Sequence, residues 1–375
     1  MDEVRMVRGH YPEPAPPTAQ EIARAKALLK EPQRRSLPRL RWGLGGMVAV
    51  GVAAAVAITL AGGNPPAPPG PVHLDDRGMF LAAAEKAERQ PTGNYWYVSQ
   101  IGGHSYIMRA RTGTYAVTGA HTESFSWWGA KPGMGEAFHS RVIPARPPTE
   151  RDMALWRRAG SPSSFRVWSA DSYSTYTTRA EKWRVDTRSG GGEFPGGLSS
   201  GDLRSLPTAP AELAERFLSR TAMRAAGALR PSAGREAELA GTKFMRVASL
   251  LAAPVPPKTR AGLMRALTTQ PGVHAVGRAT DPLGRRGIAL ASDGRATTVT
   301  GEFGAPKAEQ GTYHSRAVII FDERTGALLS QQEELTRPGG PYAEMKPGFV
   351  INYWTIRSAG WADARPTLPT GLPFG

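Results

Sequence analysis

Residues 94–101 read NYWYVSQI and residues 104–118 read HSYIMRARTGTYAVT, and these two stretches decide the fold class. Both are rich in aromatic and β-branched side chains, which suit a pleated, half-buried surface. Thr112-Gly113 supplies a turn inside the second stretch, so a strand followed by a hairpin is predicted. Segments 123–128, 165–169 and 173–185 continue the strand pattern. Between them, residues 129–164 are rich in Pro and Gly and are assigned no element, and residues 188–202 (RSGGGEFPGGLSSGD) read as a loop.

Working outward, Asp75 or Asp76 is placed to cap a helix running to about Arg89, with Met79, Phe80, Ala83, Ala84 and Ala87 as its apolar face. Downstream, residues 206–210 (LPTAP) lead into AELAERFLSRTAMRAAG, read as one helix with Leu213, Phe217 and Leu218 on one side. Residues 244–251 and, after Pro256-Pro257, residues 258–269 read as two more helices, the last ended by Gly272. Strands are then expected at 274–278, 286–291, 296–302 and 313–322. Residues 322–326 (DERTG) turn into another strand, and 349–358 supplies the last. No internal repeat stands out. The order is helix, strands, helical insert, strands. It predicts an α+β domain over residues 75–375: a large, curved antiparallel sheet covered on one face by helices.

The N-terminal part obeys different rules. No charged side chain occurs from Trp42 to Leu74, and residues 43–63 read GLGGMVAVGVAAAVAITLAGG. As a helix this run would be ~32 Å long, enough to cross ~30 Å of hydrocarbon. Its six Gly would make a poor soluble helix, so residues 42–62 are assigned as a transmembrane helix. Arg34, Arg35, Arg39 and Arg41 precede it, while Asp75 and Asp76 are the first acidic residues after it. The positive-inside rule then leaves residues 1–41 in the cytoplasm and residues 75–375 outside the plasma membrane. The charged region ahead of the apolar run is too long for a signal peptide's n-region, which favours an uncleaved anchor. Residues 63–74 (GNPPAPPGPVHL) form a Pro-rich spacer. In the tail, Thr18 and Glu21 form a capping box for a short helix over 18–30, either a docking element for a cytoplasmic partner or a helix resting near the membrane.

Charge and composition narrow the function. The formal charge is +15, carried by 38 Arg and nine Lys against 32 acidic residues. These are spread along the chain without a dense basic stretch interleaved with aromatics, so nucleic acid is not an expected partner. The absence of cysteine excludes disulfides and thiolate metal sites. His10, His73, His104, His121, His139, His274 and His314 show no ligand spacing, and no metal or cofactor is expected. Residues 197–201 match G-x-S-x-G around Ser199, but no hydrophobic strand precedes them to deliver a nucleophile onto a tight turn. Neither catalytic nor ligand-binding residues are assigned. Tyr95-Trp96-Tyr97 and Trp127-Trp128 put large rings on both faces of strands, as a two-sided core or as a hydrophobic groove.

Several segments carry a family likeness. They are Pro12-Glu13-Pro14 ahead of residues 23–29 (ARAKALL), Leu206-Pro207-Thr208, residues 255–291 beginning VPPKTRAGLMRALTTQPG, and residues 319–329 (IIFDERTGALL). On these, nearly the whole chain resembles uncharacterised single-pass membrane proteins of high-GC actinobacteria, often encoded beside extracytoplasmic-function sigma factors. The resemblance implies an envelope protein with a link to stress signalling, and it carries no catalytic residue to any position. The sheet-and-helix pattern is also similar to lipoprotein carriers and to regulators of anti-sigma factors, which hold acyl chains. The tail departs from many anti-sigma domains in lacking their His/Cys zinc pattern. The expected function is a membrane-anchored extracytoplasmic binding or sensing module, not an enzyme. Its expected partners are the lipid bilayer, through the helix, and an apolar ligand or envelope protein. A structural envelope protein or a hydrolase using Ser199 are the alternatives.

Overall fold

The computed structural model of the protein describes residues 75–131, 133–185, 194, 197–225 and 236–374. The chain divides into two units, Met1–Pro68 and Pro69–Gly375, and every described residue belongs to the second. The tail, transmembrane helix and spacer expected over residues 1–74 lie outside the described residues. Among the described residues, no helix is long and apolar enough to cross a membrane.

Helix α1 (Asp76–Glu88) opens the domain, followed by β1 (Tyr95–Ala110), β2 (Gly113–Gly129), β3 (Glu136–Val142), α2 (Glu150–Arg158), β4 (Ser164–Ser169), β5 (Ser172–Thr177) and β6 (Arg184–Val185). The helical insert is α3 (Ser200–Arg204), α4 (Pro210–Leu218), α5 (Arg220–Ala225), α6 (Glu236–Ala252) and α7 (Pro257–Leu267). Then come β7 (Val273–Thr280), β8 (Arg286–Ser292), β9 (Arg295–Val299), β10 (Gly311–Phe321), β11 (Leu328–Arg337) and β12 (Val350–Ala362). One ten-stranded sheet runs β6-β3-β2-β1-β12-β11-β10-β8-β7, with β9 pairing on β10. All its pairings are antiparallel. β4 and β5 form a separate hairpin. The α+β domain with a large antiparallel sheet is therefore present, and strands from both halves of the chain meet where β1 pairs with β12.

Helices α1 and α6 lie against one face over β7, β8, β10 and β11, α7 packs on both of these helices, and α2 packs separately on β2. Cover is thus partial. Asp75 caps α1 through its carboxylate, which accepts from the Gly78 amide at 2.6 Å. The helix buries Phe80, Ala83, Ala84 and Ala87, as its apolar periodicity predicts. Phe80 meets Phe321 of β10 edge-on at 5.2 Å. Leu263, Met264 and Leu267 of α7 are also fully buried in this layer. At ~1.5–3 kcal/mol per large apolar side chain, this layer dominates the stability of the domain. The DERTG turn closes against α1. Asp322 accepts from the amides of Arg324 and Thr325, and a Cβ on Gly326, at φ +69°, would lie 2.2 Å from the Ala83 carbonyl oxygen.

Local expectations differ from the structure at identifiable places. β1 runs unbroken through Gly102-Gly103, where the reading ends one strand and begins a hairpin. Trp354 and Tyr353 of β12 lie so close over these glycines that a Cβ would meet their rings at 3.1 and 2.8 Å. Residues 129–164 contain β3 and α2. Thr149 caps α2, its hydroxyl accepting from the Asp152 amide, a capping signal present in the sequence. The single helix expected after Pro210 is broken at Ser219, whose extended backbone ends α4. The Ser219 hydroxyl then accepts from the amide of Ala222 in α5. Segment 173–185 divides into β5 and β6, and the loop expected over 188–202 gives way to α3 at Ser200.

Candidate functional site

Ser199 serves as a helix cap. Its hydroxyl accepts from the Asp202 amide, and the Asp202 carboxylate accepts from the Ser199 amide at 2.8 Å, a reciprocal capping box that starts α3. Among the described residues, no histidine is a hydrogen-bond partner of Ser199. The aromatic clusters are mostly consumed by packing. Trp96 is buried, donates from Nε1 to the Ala252 carbonyl at 2.8 Å, and lies under the Arg260 guanidinium at 4.0 Å. Arg260 itself donates to the Leu251 and Ala253 carbonyls at the end of α6, and burial pushes its pKa down to about 9. Trp127 faces away from the helices, where Arg365 of the C-terminal segment covers its ring at 4.4 Å. The two-sided core of the sequence reading is therefore present at these residues.

An open apolar surface remains elsewhere, at the border between α6 and the sheet. In β12, strand alternation sends Trp354 and Ile356 to the helix-bearing face and Tyr353 and Thr355 to the other. Trp354 is 53% exposed and Met245 of α6 is 51% exposed, and both line a groove of about 270 Å³. Ile356, Leu328, Gln100 and Gln331 also line it. Register sets the polar pair: Gln331 of β11 lies beside Trp354, and Gln100 of β1 beside Ile356. Among the described residues, neither amide side chain has a hydrogen-bond partner. The groove thus offers an apolar wall and two amides able to donate and accept. Gly102 makes it possible, because the Trp354 indole rests where a side chain on Gly102 would stand. The space between helices and sheet beneath the groove is filled by the Phe80, Phe244 and Phe321 layer.

On the opposite face, polar groups are buried and paired. Glu123 is fully buried and accepts from Arg141 at 2.5 Å, from Arg357 at 2.7 Å and from Ser99 at 3.3 Å. The same two arginines hold the C-terminal segment, donating to the Thr370 carbonyl at 2.8 Å and the Gly371 carbonyl at 2.6 Å. Nearby, His121 Nε2 lies 2.5 Å from the Tyr353 hydroxyl and Nδ1 lies 3.0 Å from the Pro144 carbonyl. A carbonyl only accepts, so Nδ1 carries the proton and Tyr353 donates to Nε2. Burial, aided by the nearby Arg146 charge and partly offset by the Pro144 carbonyl, holds the His121 pKa down at about 4.

His104 is also held below the usual histidine range by burial, and Glu333 partly offsets that. His274 is exposed beside Asp293, and His314 meets Arg337. Among the described residues, no three His, Asp or Glu side chains converge as a metal site would require. Sequence reasoning missed Trp354, Met245, His121 and Tyr353. The run 349–358 signalled a strand, but only its register against β1 and β11 tells which face Trp354 occupies.

The chain matches no protein-family model and no curated protein.

Proposed function

We propose that this chain is a membrane-anchored, extracytoplasmic binding or sensing protein whose groove beside α6 holds an apolar chain. The observation that carries this reading is the pair Trp354 and Met245, each about half exposed and, unlike the more exposed Phe303 and Val185, brought together with Ile356 and Leu328 on one groove. Large apolar side chains left uncovered in this way mark ligand grooves or partner surfaces. Gln100 and Gln331 would hold an ester, amide or carboxyl group at one end of the chain. The apolar span over residues 42–62 supports a position beside a bilayer, a source of acyl chains. The resemblance to proteins encoded beside sigma factors would make occupancy of the groove an input to envelope stress signalling. A photo-reactive residue replacing Met245 in the whole chain, activated in native membranes, identifies the occupant. Acyl-lipid adducts absent from the same probe at Val185 are expected. Adducts confined to protein, or equal yields at both positions, would refute the apolar-chain reading.

A further inference from the structure

A second cavity, of about 350 Å³, lies on the sheet face away from Trp354. Ser105 of β1, Thr118 and His121 of β2 and Tyr353 of β12 border it, with Arg146, Asp281 and Phe374 at its sides. Its volume is in the range of small-molecule sites. What sets it apart is the state of its charged groups. Arg141, Arg285, Arg295, Arg316 and Arg357 each meet a carboxylate at 3.0 Å or closer. Arg260 has two helix-end carbonyls. Arg146 has neither: among the described residues its guanidinium makes no hydrogen bond and no ion pair, it lies over the Phe374 ring at 4.6 Å, and Tyr353 and Glu150 act on it only through their charge at longer range. Burial pushes its pKa down, and Tyr353 and Glu150 only partly offset that. A half-buried guanidinium that borders a cavity gains from an anion placed against it.

The other groups define which anion. The Ser105 and Thr118 side chains are buried and make no hydrogen bond among the described residues, so both hydroxyls can donate into the cavity. Tyr353 spends its proton on His121, leaving its oxygen as an acceptor. Asp281 borders the same space. Its carboxylate is engaged by Arg285 at 2.5 Å, by the Leu283 and Arg285 amides, and by Thr355. The Asp281–Arg285 pair is neutral overall, and its acidic side lines the cavity, which penalises a second negative charge on a ligand. Phe374 stacks on His121 at 5.0 Å and supplies an apolar roof.

We infer that this cavity binds a small organic monocarboxylate, with Arg146 as its counter-ion, the Ser105 and Thr118 hydroxyls as donors and Phe374 against its apolar body. This site is independent of the groove at Trp354.

The test uses the whole chain in a non-ionic detergent. Acetate, butyrate, benzoate, neutral benzamide and inorganic phosphate are titrated by ligand-observed NMR, with empty micelles as blank. At least one carboxylate binds above the blank, benzamide binds at least tenfold more weakly than benzoate, and phosphate gives no signal. Arg146→Gln weakens carboxylate binding at least tenfold. If that variant does not fold, Arg146→Lys and Phe374→Ala replace it, and each weakens binding at least threefold. No carboxylate binding, binding unchanged in these variants, or phosphate binding as tightly as benzoate would overturn the inference.

Discussion

Acidification from pH 7 to pH 5 should destabilise this domain through His121, and replacing that residue should remove the effect. The fold holds the imidazole neutral: it is 2% exposed, accepts from Tyr353 and has its pKa held at about 4. In the unfolded chain the ring titrates near 6.5. As pH falls below about 6.5 the unfolded state takes up a proton that the folded state refuses. Stability is therefore complete above that value and declines as pH drops towards 4. Between pH 7 and pH 5 the loss integrates to ~2 kcal/mol, and it reaches ~3 kcal/mol at pH 4. His121→Gln keeps an acceptor for Tyr353 and a donor for the Pro144 carbonyl but cannot titrate. Pulse proteolysis of the whole chain across a urea series at pH 7 and pH 5 gives both stabilities. The wild type should lose ~2 kcal/mol more than His121→Gln, while carboxylates common to both cancel. Equal losses in the two proteins would refute the neutral, buried imidazole.

Other consequences follow from the same packing. Glu123→Gln removes the buried charge that Arg141 and Arg357 share, leaving two partly buried cations without their carboxylate; a loss of ~3 kcal/mol is expected by urea unfolding. Cleavage by protease within residues 363–374 should also accelerate, because those arginines hold this segment. Ser199→Ala removes a cap and should cost ~1 kcal/mol, with no change in any ester hydrolysis the preparation shows. As the chain has no cysteine, a single one reports topology. An impermeant maleimide added to intact cells should label Val185→Cys and leave Ala27→Cys unlabelled, and the reverse pattern would invert the proposed orientation.

The legible parts of the fold were those where local chemistry and tertiary packing agree. Asp75, Phe80 and the alanines of α1 announce a capped amphipathic helix, and DERTG announces the turn between β10 and β11. The less legible parts depend on partners distant in sequence. Gly102-Gly103 looks like a strand end until Trp354 and Tyr353 arrive from β12, about 250 residues later, to occupy the space that side chains would fill. Ser219 interrupts a continuous helical pattern because its hydroxyl caps the following turn. The groove was hidden for the same reason as the glycines. An aromatic in a strand has two faces to choose from, and the β1–β12–β11 register makes the choice for Trp354. Arg146 offered no signal, since an arginine without an ion-pair partner among the described residues can be recognised only once the nearby carboxylates have been placed.

The groove as the seat of an apolar chain is tested most directly by a lone thiol at Met245→Cys. Its alkylation rate by a charged maleimide is measured in the whole chain, with and without a short-chain fatty acid below its micellar concentration, and Val185→Cys serves as reference. Protection of at least fivefold at 245 and none at 185 is predicted. Equal rates at 245 with and without the acid would contradict the account.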